Sequence, residues 1–259
     1  MKRRTTIKLL LFVTLLFFAT GQLGGCLSCV TGTGSISGTV KNAVTGDALS
    51  GATVKAGGIQ TTTGSNGTYK LENVPAGTQT VTASKTGYIT DSKQVLVVGD
   101  QETTNVNFAL SPPTAAGQIR IVLTWGENPE DLDSHLLVPT SDNNGDLGYE
   151  VYFGEEGSDT AYPFAKLDTD DTTSYGPETV TIYQRYTQKY KYFVHHWYGT
   201  GDLAHSGAVV KVYSGASLIK TYNVPTTQTA NHFYWYVFDI NSDGSITDRN
   251  VIQASAPTL

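Results

Sequence analysis

The sequence has very few sulfur-containing residues: two cysteines and one methionine among 259 residues. Cys26 and Cys29 both lie near the beginning, so the rest of the chain has no disulfide framework, cysteine zinc ribbon or cysteine nucleophile. Motifs for other common chemistries are also missing: Gly-x-Ser-x-Gly, a phosphate-binding loop, His-Glu-x-x-His and a dinucleotide fingerprint. These absences predict that the protein is not an enzyme.

Basic residues are scarce as well, since 17 lysines and arginines stand against 23 aspartates and glutamates, a net charge of −6. A nucleic-acid partner is excluded on this ground, because binding phosphates requires an excess of basic side chains. The acidic residues are concentrated, with 14 carboxylates between Glu127 and Glu178 and Lys166 as the one basic residue. Such a segment suits divalent cations or basic surfaces, and a solvated acidic face is the alternative interpretation.

The N-terminus predicts export. Residues 1–8 carry four basic residues and no acid, and residues 9–19 are almost wholly apolar but short for a membrane span. We therefore predict a signal peptide over residues 1–25, whose removal would leave 13 basic and 23 acidic residues, a net charge near −10.

The signal ends in Leu23-Gly24-Gly25-Cys26, which resembles the lipobox of bacterial lipoproteins. The resemblance implies cleavage before Cys26, lipidation of its thiol and a tether over residues 26–33. Leu27, directly after the cysteine, implies by the same analogy sorting to the outer membrane of a Gram-negative bacterium. A secreted protein with a Cys26–Cys29 disulfide is the alternative.

Helical patterns are absent from the remaining chain. Short alternating runs of apolar and polar residues are broken by Gly, Asn, Asp and Pro about every 8–12 residues, which is typical of β-sandwiches. The fold class predicted is all-β, with two tandem β-sandwiches over residues 34–111 and 117–253. Residues 112–116, which include Pro112 and Pro113, form a stiffened linker. We expect about seven strands in the first sandwich and about eight or nine in the larger second one.

The first unit carries a specific motif of glycines and alternating apolar residues. It includes Gly34-x-Ile36-x-Gly38-x-Val40, Leu49-Ser50-Gly51-Ala52-x-Val54 and Gly67-x-Tyr69-x-Leu71-x-x-Val74-Pro75-x-Gly77. This pattern resembles the carboxypeptidase regulatory-like domain. The resemblance implies a transthyretin-like sandwich, grouped with carbohydrate-binding-like folds. The unit has no histidine or cysteine and few acids, so we interpret it as a non-catalytic spacer with Tyr69 and Val74 in its core.

The second unit resembles an uncharacterised bacterial domain often called YfaP-like, over residues 117–252. The resemblance rests on two separate motifs, Trp125-Gly126-x-Asn128-Pro129-x-Asp131-Leu132-Asp133-Ser134-His135-Leu136 and Tyr175-Gly176-Pro177-Glu178. It implies secreted or surface proteins and no known activity.

Two acidic clusters of this second unit are candidates for a metal site. On a strand, Asp131, Asp133 and His135 share one face because side chains alternate. Oxygen ligands from separate segments are what Ca²⁺ requires. The predicted calcium ligands are Asp131, Asp133, Asp168, Asp170, Asp171 and Glu178.

Two alternatives to calcium remain open. The acids can instead cap turns through local hydrogen bonds. Zinc bound by His135 with Asp131 or Asp133 is the other alternative, although no second histidine stands at ligand spacing in that stretch.

A third acidic segment, Asp239-Ile-Asn241-Ser-Asp243-Gly244, resembles the start of an EF-hand loop, but Asn250 stands where the bidentate glutamate belongs. A β-hairpin turn is the prediction there.

Aromatic residues supply the last candidates. Trp197, Tyr198 and Trp235 are predicted ligand-binding residues, with a place in the core as the alternative.

Taken together, the N-terminus, the two β units and the missing catalytic motifs predict a non-catalytic cell-surface lipoprotein that acts as a binding or structural module. Its partners would be the membrane, through the lipid anchor, and an unidentified surface protein or glycan. Carbohydrate binding is the alternative function, followed by a metal-dependent hydrolase.

Overall fold

A computed structural model describes residues 32–140 and 147–258. The predicted signal peptide, Cys26 and Cys29 lie outside these residues. Within the described ranges, no helix has both the length and the apolar character needed to cross a bilayer. The described chain is almost entirely β, which confirms the predicted fold class.

The first domain consists of two layers, one mixed and one antiparallel, that face each other across one core. One layer has β1 at its centre, between β4 on one side and the short strands β7 and β8 on the other, and the second layer runs β3-β2-β5-β6. The strands are β1 Thr33–Asn42, β2 Thr53–Ala56, β3 Ile59–Thr62, β4 Thr68–Pro75, β5 Gly77–Ser84, β6 Asp91–Val97, β7 Glu102–Thr103 and β8 Phe108–Leu110.

Alternation along these strands builds the core of the first domain. Ile36 and Val40 of β1 are fully buried, as are Val81 and Ala83 of β5. Tyr69 and Val74 of β4 are core residues, as predicted. Gly67 takes a positive φ of 74°, and a Cβ there would lie 2.6 Å from the carbonyl oxygen of Val40. Only glycine fits this turn, which leads the chain into β4.

The second domain is a larger sandwich of two five-stranded layers. The first layer has the order β11-β10-β14-β17-β18, and the second has the order β12-β13-β9-β15-β16. The strands are β9 Ile119–Thr124, β10 Asp131–Pro139, β11 Leu147–Val151, β12 Ala165–Thr169, β13 Glu178–Ile182, β14 Tyr190–Tyr198, β15 Val209–Ser214, β16 Ser217–Asn223, β17 Tyr234–Ile240 and β18 Ile246–Gln253.

The described residues of this domain form ten strands, slightly more than the eight or nine predicted from alternation. The last strand, β18, returns along β17 as an edge strand. Between β17 and β18 the segment with Asp243 and Gly244 forms a tight turn, in which the amide of Gly244 donates to the carbonyl of Asn241 at 2.9 Å. The predicted hairpin turn is therefore confirmed.

The linker and the facing sheets bring the two domains into contact. Lys41 of the first domain pairs with Asp171 of the second at 3.1 Å. Lys211 of the second domain pairs with Asp91 of the first. The buried guanidinium of Arg120 donates to the hydroxyl of Ser111, directly before the linker, at 3.0 Å. Residues of both domains also share a small apolar cluster of Ala43, Ile89, Ala109, Val122 and Tyr213.

Candidate functional site

The candidate site lies where the two layers of the second domain approach each other, at the start of β10. Strand β11 pairs with β10 at Leu136 through Pro139. Before that pairing, the amide of Ser134 donates to both carboxylate oxygens of Glu178, at 3.0 and 3.1 Å. Glu178 begins β13 in the opposite layer. Its carboxylate therefore occupies the position that a neighbouring strand would take beside β10.

A glycine allows Glu178 to reach this position. Gly176 has a φ of +73°, and a Cβ there would lie 2.9 Å from a ring carbon of Trp125 and 3.0 Å from the carbonyl oxygen of Leu123. Any larger residue would push the segment away from β9. Trp125 is itself held by a hydrogen bond from its indole nitrogen to the carbonyl of Pro129, at 3.1 Å. The Trp125 and Gly176 segments thus position the acids of β10 and β13 together.

Three carboxylates converge at this point. One oxygen from each of Asp133, Asp170 and Glu178 lies within 4.8 Å of the others. Two oxygens bound to the same Ca²⁺ at about 2.4 Å can be at most about 4.8 Å apart. Asp133 is 1% exposed and Glu178 is fully buried. One oxygen of Asp133 and one of the neighbouring Asp131 are buried without any hydrogen-bond partner.

Burial and mutual repulsion raise the pKa values of the acids in this cluster. Burial first, and then the charges of Asp131 and Asp170, raise the pKa of Asp133 to about 8. The pKa of Asp131 is raised to about 6 by burial and by Asp170, Asp171 and Glu130. Burial also raises the pKa of Glu178 well above its ordinary value, although the Ser134 amide opposes the shift. Neutral pH therefore leaves a cluster that favours a proton or a cation over free negative charge.

The structure does not bring all six predicted calcium ligands together. Asp168 is turned to the outer side of β13, where it accepts hydrogen bonds from the hydroxyls of Thr181, at 2.5 Å, and Tyr183, at 2.6 Å. Asp171 pairs with Lys41 and accepts a hydrogen bond from the amide of Thr173 at 2.9 Å. Asp168 and Asp171 thus make contacts other than the convergent set, whereas Asp133, Asp170 and Glu178 meet and Asp131 adjoins them.

A second group shares Asp133 but contains nitrogen ligands. One ligand atom from each of Asp133, His135 and His195 lies within 4.8 Å of the others. His195 lies directly opposite Asp133 in the pairing of β10 with β14. Burial, followed by the neighbouring His135 and His196, lowers the pKa of His195 to about 4. The sequence interpretation missed His195 as a neighbour of His135, because 60 residues separate the two and only strand register joins them.

The three predicted aromatic ligand-binding residues differ in their exposure to solvent. Trp197 and Tyr198 are 55% and 65% exposed at the end of β14. Trp235 is fully buried in the core, and its indole nitrogen donates to the side-chain oxygen of Asn250 at 2.8 Å. Trp235 is therefore a core residue, as the alternative interpretation had it, and its prediction as a ligand-binding residue is wrong because its side chain points between the layers.

Two aromatic residues that the sequence interpretation did not choose join the exposed pair. Phe153 contacts Trp197 with ring centroids 4.9 Å apart, and Phe233 lines the same open pocket of about 440 Å³ as Trp197 and Tyr198. Phe153 and Phe233 are 36% and 42% exposed. Exposed aromatic residues of this kind offer flat apolar faces to a ligand.

Residues 35–111 match the model of the carboxypeptidase regulatory-like domain. The chain also has partial likenesses to solved structures. One is a mutant type II cohesin–X-dockerin complex from Acetivibrio cellulolyticus, with 30% identity over 27% of this chain and a TM-score of 0.25. The chain spans 51% of the length of that structure.

Two further likenesses have lower identity. A candidate carbohydrate-binding protein from Bacteroides uniformis shares 14% identity, with 74% of this chain and 96% of that one covered and a TM-score of 0.25. The TIE protein of Bacillus anthracis shares 12% identity over 77% of this chain and 32% of that one, with a TM-score of 0.28. At these TM-scores the likenesses assign no function.

Proposed function

We propose that this chain, whose first domain is a carboxypeptidase regulatory-like domain, is a non-catalytic binding module of the cell envelope. In this proposal a lipid on Cys26 anchors it to the membrane, and the second domain binds a calcium ion through Asp131, Asp133, Asp170 and Glu178. The first domain and the linker act as the spacer between the membrane and the second domain.

One observation carries the calcium proposal: buried carboxylate oxygens of Asp131 and Asp133 have no hydrogen-bond partner. Desolvating a carboxylate costs several kcal/mol or more unless a proton, a hydrogen bond or a cation compensates it. All the converging atoms are oxygens, which suits a hard cation such as Ca²⁺. Backbone carbonyls and water would complete the six to eight ligands that Ca²⁺ usually takes.

Thermal unfolding of the full chain, purified metal-free in mild detergent, tests the calcium site. Calcium at a hundredfold excess over its Kd should stabilise the folded state by about 2.7 kcal/mol. Asp133→Asn and Glu178→Gln should remove this response, whereas Asp47→Asn, at an exposed aspartate of the first domain, should keep it. An unchanged midpoint in millimolar calcium, together with no heat of binding in calorimetry, would sink the calcium proposal.

The anchor has a separate test. The motif Leu23-Gly24-Gly25-Cys26 motivates it, and each buried acyl CH₂ contributes about 0.8 kcal/mol to membrane binding. The wild-type chain should partition into the detergent phase and carry acyl mass on its N-terminal fragment. Cys26→Ser should be found in the aqueous phase, and Cys29→Ser should behave like the wild type. Equal partitioning of all three chains would contradict lipidation.

A second candidate function is glycan recognition by the exposed aromatic residues around Trp197. Trp197, Tyr198 and Phe233 line one open pocket, and sugar rings stack on such side chains through their apolar faces. A glycan array with the fluorescently labelled full chain tests this candidate. Trp197→Ala should abolish any binding while the unfolding midpoint stays the same, and Leu218→Ala, an exposed apolar residue on β16, should leave binding intact. Equal binding by wild type and Trp197→Ala would reject it.

A further inference from the structure

His135 has one ring nitrogen occupied and the other without a partner. Its Nδ1 lies 2.8 Å from a carboxylate oxygen of Glu150, on the neighbouring strand β11. The carboxylate can only accept, so Nδ1 carries the proton of the neutral ring and Nε2 carries the free lone pair. His135 is 8% exposed, and Nε2 is buried with no hydrogen-bond partner. The ring is therefore oriented with its acceptor nitrogen directed into the protein.

Strand register brings a second histidine and a carboxylate close to the His135 ring. His195 on β14 lies opposite Asp133, two residues before His135 on β10. One ligand atom from each of these three residues lies within 4.8 Å of the others. Ligand atoms on a tetrahedral zinc, bound at about 2.0–2.1 Å, are roughly 3.4 Å apart. The distance between any two of these ligand atoms would therefore have to shorten by no more than about 1.4 Å for all three to bind one zinc ion.

We propose that Asp133, His135 and His195 bind a divalent transition metal of the zinc class. Two imidazoles and one carboxylate form a ligand set that suits zinc, whereas calcium and magnesium prefer oxygen alone. Glu150 has the place of the outer carboxylate that orients a ligating histidine in many zinc sites. This site goes beyond the calcium proposal, and it shares only Asp133 with it.

Aromatic rings enclose the histidines. Phe193 and Tyr152 stack on His135 with centroids 4.7 and 5.4 Å away, and Tyr234 stacks on His195 at 4.5 Å. Trp197 contacts the edge of His195 at 5.7 Å. A metal bound to both histidines would cross-link β10 and β14 and hold the rings that support the exposed Trp197. Its role would be structural support of the exposed aromatic surface.

A competition titration with Zn²⁺ against a chromophoric chelator tests the proposal. The sample is the metal-free full chain without a histidine tag, carrying Cys29→Ser so that no free thiol competes. One equivalent should bind, and Co²⁺ should give the visible absorption of a low-coordinate nitrogen and oxygen site. Glu150→Gln should weaken binding by about 10- to 100-fold, as outer-shell changes do. His135→Ala and His195→Ala should weaken it further.

His205→Ala is the matched control, because His205 also pairs with a carboxylate, Asp202, at 2.7 Å, but has no third ligand in either convergent group. It should keep the wild-type affinity. If His135→Ala does not fold, His195→Gln and Glu150→Gln decide the question. Absence of zinc binding by the wild type, or equal losses in His205→Ala and His195→Ala, would overturn the proposal. His195→Ala should keep the calcium response, so failure of one site is distinguishable from failure of the other.

Discussion

The second domain buries carboxylates in two places and compensates them differently. Asp239 on β17 is fully buried, and Arg249 binds it with the Nε–Oδ2 distance at 3.0 Å, while Lys189 lies 3.8 Å away. Among the described residues, no lysine or arginine forms an ion pair with Asp133 or Glu178. The chain itself neutralises the charge at Asp239. At the cluster of Asp133 and Glu178, a proton or a bound cation must do so.

The largest expected difference between the Asp133 cluster and Asp239 is in how the free energy of unfolding depends on pH. In the presence of a chelator, the folded state holds a proton on Asp133, whose pKa is raised to about 8, while the unfolded chain releases it near its ordinary value of 3.8. The contribution of Asp133 to the free energy of unfolding is therefore fully present below about pH 4 and is lost as the pH rises to about 8. The loss should amount to at least about 3 kcal/mol.

Urea unfolding of wild type and Asp133→Asn across this range measures that contribution as a difference, which cancels the other titrating groups. Calcium should flatten the difference, because the ion replaces the proton. If the wild type instead becomes more stable than Asp133→Asn as the pH rises in chelator, the chain itself already neutralises the charge of Asp133.

The next largest effect should come from breaking the neutralised place. Arg249→Ala removes the main partner of Asp239 and leaves a buried charge, which usually costs about 3–5 kcal/mol. Since Lys189 remains nearby, we expect a loss of about 3 kcal/mol at pH 7 by urea unfolding. Lys220→Ala, which breaks the exposed pair with Asp248, should cost less than about 1 kcal/mol. Similar losses in both variants would mean that the Asp239 pair contributes no more than a surface pair.

A smaller effect of opposite sign is expected at Glu178. Glu178→Gln keeps an oxygen that accepts the hydrogen bond from Ser134 and removes the charge. In chelator at pH 7 it should stabilise the fold by about 1 kcal/mol, since a neutral amide needs no counter-charge. In calcium the same variant should be less stable than the wild type. A variant that is destabilised in both conditions would show that Glu178 is already compensated by the chain.

The smallest effect concerns neighbouring aspartates of one segment. Asp170→Asn should weaken calcium binding about threefold, or about 0.7 kcal/mol, because Asp170 faces Asp133 and Glu178 but is itself exposed. Asp168→Asn should leave the calcium affinity unchanged, because that carboxylate is bonded to Thr181 and Tyr183. Calorimetric titration compares the two. The reverse order of affinities would restore Asp168 to the metal site.

Much of the fold follows from local pattern. Strand alternation is a property of a few consecutive residues, and the motif of alternating apolar residues correctly predicts that Tyr69 and Val74 belong to the core of the first domain. The same rule places Asp131, Asp133 and His135 on one face of β10. Trp235 shows the limit of this rule, because alternation indicates which residues share a face but not which face is exposed.

The segment with Asp168 and Asp170 shows a second limit. On a continuous strand these residues would share a face, but β12 ends at Thr169 and the pairing with β13 shifts register between Leu167 and Thr169. The shift sends Asp168 toward Thr181 and leaves Asp170 free to reach Asp133. Register shifts of this kind depend on the partner strand, so the segment by itself does not predict them.

The sequence by itself determined the all-β class, the motif of the first domain, and the presence of a dense acidic region with few basic residues. These depend on composition and on neighbours close along the chain. Only the tertiary structure decided which acids meet, that Glu178 caps the edge of β10 from the opposite layer, and that His195 lies beside His135. These contacts join strands tens of residues apart, and their free energies depend on burial and register, which exist only once both layers of the sandwich have formed.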